Sequence, residues 1–114
     1  MSVKLTNRQV GDVTVIDANG RITLGEGSST FRDSIRDLTA SGNKKLLLNL
    51  ADVSYIDSSG IGEMVSGFTS VTNQGGQLKL LNLTKRVKDL LQITKLYTVF
   101  EVFDDEAAAV RSFS

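Results

Sequence analysis

Along the chain, apolar and polar residues first alternate and later fall into a three- and four-residue rhythm. Val3-Lys4-Leu5-Thr6 and Val13-Thr14-Val15-Ile16 carry the alternation, with Gly11-Asp12 between them. That pattern predicts two strands joined as a hairpin through a short turn. Beyond Gly20-Arg21-Ile22-Thr23-Leu24 comes the small-residue stretch Gly25-Glu26-Gly27-Ser28-Ser29, followed by Phe31, Ile35 and Leu38 at helical spacing. A helix is expected there, capped by Ser28 or Ser29 and ended at Gly42.

Lys44-Lys45-Leu46-Leu47-Leu48-Asn49-Leu50 is an apolar run between turn residues, and it reads as a central strand covered on both faces. Asp57-Ser58-Ser59-Gly60 precedes Ile61, Met64, Val65, Phe68 and Val71, which share one side of a helix that stops at Gly75-Gly76. Gln77 to Leu83 returns as a strand, and Thr84 begins a helix carrying Val87, Leu90 and Leu91. Val99 to Phe103 read as a short edge strand, and Asp104-Asp105-Glu106 place acids in the first turn of a last helix ending near Phe113. Two strands followed by helix-strand alternation imply an α/β fold with a mixed sheet of four to five strands and about four helices.

With 114 residues the chain is expected to form one domain over 1–114 around one core. Thirteen basic and thirteen acidic side chains cancel, so no basic stripe is available to collect nucleic acid phosphates or an anionic membrane surface. The Leu46-Leu47-Leu48 run is far short of the roughly 20 apolar residues that a membrane-spanning helix needs. Met1-Ser2-Val3-Lys4 does not lead into a secretory signal, and the expected location is the cytoplasm. The chain has neither cysteine nor histidine. Disulfides, thiolate metal sites, a Ser-His-Asp triad and a Cys-His dyad are therefore excluded, and the chain reads as a binding protein without cofactor or metal rather than an enzyme.

The informative stretch is Tyr55-Ile56-Asp57-Ser58-Ser59-Gly60-Ile61-Gly62, a turn from strand to helix. Functional groups of open α/β sheets gather at such strand ends, where helix N-termini leave N–H groups unpaired. A serine hydroxyl there is exposed, and a phosphate on it would meet the positive end of the helix dipole. On local sequence alone a plain helix cap by Asp57 or Ser58 explains the same letters. Nucleotide-binding patterns fail: Val65 stands where the dinucleotide fingerprint needs glycine, and Phe68 follows Gly67 where a phosphate loop needs its lysine.

From about Val3 to Phe113 the chain resembles the STAS-domain anti-sigma factor antagonists. The resemblance rests on the order of elements, on Leu48-Asn49-Leu50 leading through Val53 to Ile56-Asp57-Ser58-Ser59-Gly60-Ile61-Gly62, and on Gly75-Gly76-Gln77-Leu78 before the next strand. It implies a switch in which Ser58 is phosphorylated by an anti-sigma factor that is itself an ATP-dependent serine kinase. The unphosphorylated form binds that anti-sigma factor and frees a sigma factor, and a phosphatase acting on phosphorylated Ser58 restores it. Asp57 and Ser59 would shape the loop, and Gly60 and Gly62 would let the partner approach the backbone, so the implied contact surface is Asp57, Ser58, Ser59, Gly60, Ile61 and Gly62.

Arg21 and Thr23 join that surface by position. Members of the family often carry an acidic pair after the second strand, where this chain has Gly20-Arg21-Ile22-Thr23. Taken singly, Arg21 also reads as a solvated side chain. Lys85, Arg86 and Lys88 form a basic cluster that reads as a solvated face. The alternatives to the switch are a STAS subunit of a larger sensory assembly or of a transport system, and a small nucleotide-hydrolysing enzyme.

Overall fold

The computed structural model describes residues 3–23 and 25–113, leaving aside the side chain of Glu26. Leu24, placed above after the second strand, lies outside the described residues, as do Met1, Ser2 and Ser114. Strands β1 (Val3–Val10) and β2 (Val13–Ile22) form the expected hairpin, with Val10 opposite Val13 and Gly11 at φ 65° in the turn. A positive φ at the first turn residue suits the right-handed twist of the strands it joins, and glycine takes it without strain.

Helix α1 (Glu26–Ala40), strand β3 (Lys45–Ile56), helix α2 (Ser58–Asn73), strand β4 (Gln77–Leu81), helix α3 (Lys85–Ile93), strand β5 (Val102–Phe103) and helix α4 (Glu106–Arg111) follow in that order. The sheet order is β1-β2-β3-β4-β5, with only β1 antiparallel to its neighbour. This is the expected α/β fold with a mixed five-stranded sheet.

The sheet has a thick side and a thin side. On one face Ile16, Ile22, Leu46, Leu48, Leu50, Val53, Ile56, Leu78 and Leu80 pack against Phe31, Ile35, Ile61, Met64, Val71, Val87 and Leu91 of α1, α2 and α3. On the other, Val13, Val15, Leu47 and Leu81 pack against Ala109 and Phe113 around α4. Coverage on both sides explains why the middle of β3 is apolar without alternation. Gly76 lets the turn into β4 close: a Cβ there would lie 2.6 Å from the Lys44 carbonyl oxygen.

Four expectations need correction. Ser28 and Ser29 do not cap α1, whose N-cap is Gly25 without a side-chain hydrogen bond; Ser28 lies inside the helix and its Oγ donates to the Thr23 carbonyl at 2.7 Å. The edge strand is confined to Val102–Phe103. Of the three acids, only Glu106 lies in the first turn of α4; Asp105 is its N-cap, accepting from the Ala108 N–H at 2.9 Å. Finally, β3 runs on past Leu50 to Ile56.

That last extension has a definite geometry. Asp17 pairs with Asn49 and Asn19 with Asp52; Gly20 pairs with Val53 and Arg21 with Tyr55. At each shift β3 gains a residue on β2, and each gain moves the inward-facing positions by one in the count along the strand. Leu46, Leu48 and Leu50 enter the thick-side core at every second position, then Val53 and Ile56 at every third.

Candidate functional site

Strand β3 ends with Ile56 paired to Ile22, and the chain turns directly into α2. Asp57 holds that turn. Its backbone is extended, its N–H donates to the Ile22 carbonyl at 3.4 Å, and its carboxylate accepts from the Gly60 N–H at 2.9 Å. Asp57 is thus the helix cap, which leaves Ser58 as the exposed first residue of α2. The N–H groups of this first turn have no intrahelical acceptor and favour an anion.

The six residues of the turn divide by accessibility. Ser58 and Gly62 are exposed, and Asp57 and Ser59 are half-buried. Gly60, expected to admit a partner, faces inward: a Cβ on it would meet the Ile22 carbonyl oxygen at 2.3 Å and Ile56 Cγ1 at 2.7 Å. It lets α2 start against β2. Ile61 is only 1% exposed and belongs to the thick-side core. Gly62 has open space where a Cβ would stand, so it remains the glycine at which an outside group can reach the backbone.

Arg21 and Thr23 lie beside this turn, at and just beyond the end of β2. Thr23 is half-buried and its carbonyl accepts from the N–H and Oγ of Ser28. Arg21 is exposed, with its guanidinium 5.0 Å from the centre of the Tyr55 ring.

A residue missed by the sequence reading joins it there. Arg86 of α3 also lies over Tyr55, at 4.6 Å, while its Nε donates to the Ile56 carbonyl at 3.2 Å and its Nη2 to the Tyr55 hydroxyl at 3.0 Å. The basic cluster therefore is not a uniform solvated face. Lys85 pairs with Asp89 in the open, whereas Arg86 clamps the strand end from which Ser58 emerges.

Among the described residues no group of three or more acidic side chains is arranged to hold a metal ion, and no helix is long and apolar enough to cross a membrane. A cavity of about 290 Å³, walled by Phe68, Thr72, Leu78 and Val99, lies against the start of β4, at the opposite end of the strands from Ser58.

The model of the STAS domain family matches residues 4–109. The chain belongs to the STAS domain family. Its relatives in that family include the anti-sigma-B factor antagonist of Bacillus subtilis (strain 168), 46% identical over 102 residues that make up 90% of this chain and 92% of the relative. The same STAS fold is seen in the crystal structure of an anti-sigma factor antagonist from Mycobacterium paratuberculosis, with TM-score 0.83, 13% identity and coverage of 98% and 94% of the two chains. It is seen again in the Bacillus protein SpoIIAA, an anti-sigma factor antagonist solved in unphosphorylated and phosphorylated forms. These match with TM-scores 0.71 and 0.75 at 19% identity, covering 96% or 97% of this chain and 96% or 100% of SpoIIAA.

Proposed function

We propose that this chain is a cytoplasmic anti-sigma factor antagonist switched by phosphorylation of Ser58. Its unphosphorylated form binds an anti-sigma factor that is also the serine kinase, which frees a sigma factor. Phosphate on Ser58 ends that binding, and a phosphatase restores it. The protein is then a substrate and a ligand, not a catalyst. The observation that carries this reading is the exposed Ser58 hydroxyl at the start of α2, beside a cap that Asp57 already provides. A phosphate placed there adds about 1.5 to 2 negative charges where the helix end can receive them. Ser58, Ser59, Gly62, Arg21 and Thr23 are the accessible contact residues, and Asp57 fixes the turn. The likeness to SpoIIAA, solved both with and without phosphate, supports the same reading.

The test is recovery of the tagged protein from its own cells, with identification of the bound kinase and of the phosphorylated residue by mass spectrometry. Ser58→Ala is expected to bind the kinase as wild type does but to resist release, while Ser58→Asp binds on the order of a hundredfold more weakly, because a charge must be desolvated in the contact. Phosphate only on Ser59, or equal affinity for wild type and both variants, would overturn the proposal. Because the helix start tolerates an anion, the thermal midpoints of the two phosphorylation states are expected within about 5 °C of each other.

A further inference from the structure

We propose that Arg21 and Arg86, held on the ring of Tyr55, form a cationic docking patch for an acidic segment of the partner protein. Phosphate on Ser58 then releases that partner by cancelling the charge of the patch. The proposal rests on the phosphorylation reading above and adds the chemistry of the partner.

Charge pairing sets these two apart from three other arginines. Arg8, Arg32 and Arg36 each sit against a carboxylate. No described ion pair involves Arg21 or Arg86, although both are exposed. Their guanidiniums lie 5.0 and 4.6 Å from the Tyr55 ring centre instead. An aromatic face attracts a guanidinium without neutralising it; Arg86 gives N–H groups to the Ile56 carbonyl and the Tyr55 hydroxyl, and its Nη1 makes no described hydrogen bond. The ring also limits the side-chain freedom that an incoming carboxylate would otherwise have to restrict, so the two donors are arranged before binding.

Position links the patch to the switch. Arg21 is in register with Tyr55, and Arg86 Nε is bonded to the carbonyl of Ile56, two residues before Ser58. Two guanidiniums and the Asp57 carboxylate give the exposed strand end about one net positive charge. A phosphate on Ser58 turns that to about one net negative charge, so an acidic partner changes from attracted to repelled. Over the whole chain thirteen basic and thirteen acidic side chains cancel, which gives a polyanion such as nucleic acid no net attraction.

The test measures association of the full chain with the purified anti-sigma factor recovered from its own cells, by stopped flow at low and high salt. Wild type is expected to associate about tenfold faster at the lower salt, as steered encounters do. Arg21→Glu is expected to lose about that tenfold and most of the salt dependence, with Arg21→Lys retaining both. Arg86→Gln should behave as Arg21→Glu does; if it unfolds, the exposed Arg21 variants carry the test alone. Wild type phosphorylated on Ser58 is expected to show no acceleration at low salt. A salt-independent rate for wild type, an unchanged rate for Arg21→Glu, or displacement of the partner by a short DNA duplex at the same salt would overturn the patch. If phosphate on Ser58 still ends binding in that case, the switch stands without the patch. If Ser58 is never phosphorylated, the underlying reading fails.

Discussion

Arg8 and Arg86 both reach across the fold, but one ends on carboxylates and the other on a ring. Arg8, on the thin side, forks to Asp17 at 2.6 Å and to Glu106, which ties β1 and β2 to α4. Asp17 also accepts from Asn49, and Asn49 from Asn82, so hydrogen bonds run from β1 across the sheet to the residue after β4. Lys79 adds to the hold: almost fully buried, it bonds the carbonyl and hydroxyl of Ser112 and pairs with Glu101. At the strand end near Ser58, Arg21 and Arg86 have no such counterions among the described residues. Charge on the thin side is spent within the chain, holding a six-residue helix in place. Charge beside Ser58 is left available, and the backbone there is fixed by a cap, a glycine contact and a single arginine clamp.

The contrast can be broken most severely at Gly60. Gly60→Ala would push a methyl into the Ile22 carbonyl and Ile56, and a loss of about 2–3 kcal/mol is expected, read as a lowered denaturant midpoint. Unchanged stability would mean that the start of α2 is loose. Asp57→Ala should cost about 1 kcal/mol through the lost cap, seen in the same unfolding curves.

Arg8→Gln tests the thin side, where the pairs are partly exposed and worth up to about 1 kcal/mol at neutral pH. Hydrogen bonds from Arg8 hold both Asp17 and Glu106 below their ordinary values of 3.8 and 4.5. Below those values the unfolded chain takes up protons before the folded one does, so the stabilisation is complete above about pH 5 and fades as pH falls through the lowered folded values. The gap between wild type and Arg8→Gln should therefore close in acid, as shown by unfolding midpoints across pH. A gap that is constant with pH would refute the role given to Arg8. Lys85→Ala, which removes an exposed i,i+4 pair, should change stability by only about 0.3 kcal/mol.

Much of this was legible in the chain itself. The hairpin followed from alternation around Gly11-Asp12, and the strand-to-helix turn that forms the candidate site followed from Asp57-Ser58 opening a helix after an apolar strand. Legibility failed where the cause lay far off in sequence. Arg86 meets Ile56 across 30 residues, and nothing in Lys85-Arg86-Val87-Lys88 marks one cation as different. It failed too where the period changed. Leu50, Val53 and Ile56 lie three apart, a helical interval, yet all belong to one strand whose pairing slips twice. Gly25 as the start of α1 was hidden for another reason: serines advertise a cap, and here Ser28 serves the Thr23 carbonyl from inside the helix.

The two slips in β3 can also be read as arithmetic. Paired residues face the same side of a sheet, so each surplus residue is absorbed where it falls and moves the inward-facing positions by one in the count along β3. Val53 opposite Gly20, with one surplus behind it, and Ile56 opposite Ile22, with two, both reach the thick-side core, while Tyr55 stays beside Arg21 and holds the two arginines. Deleting one residue between Leu50 and Val53 would remove the first bulge and restore an unbroken alternation from Leu46 to Val53, leaving Tyr55 and Ile56 facing as they do. A single-residue deletion at either slip is therefore expected to keep the end of the strand in register with β2.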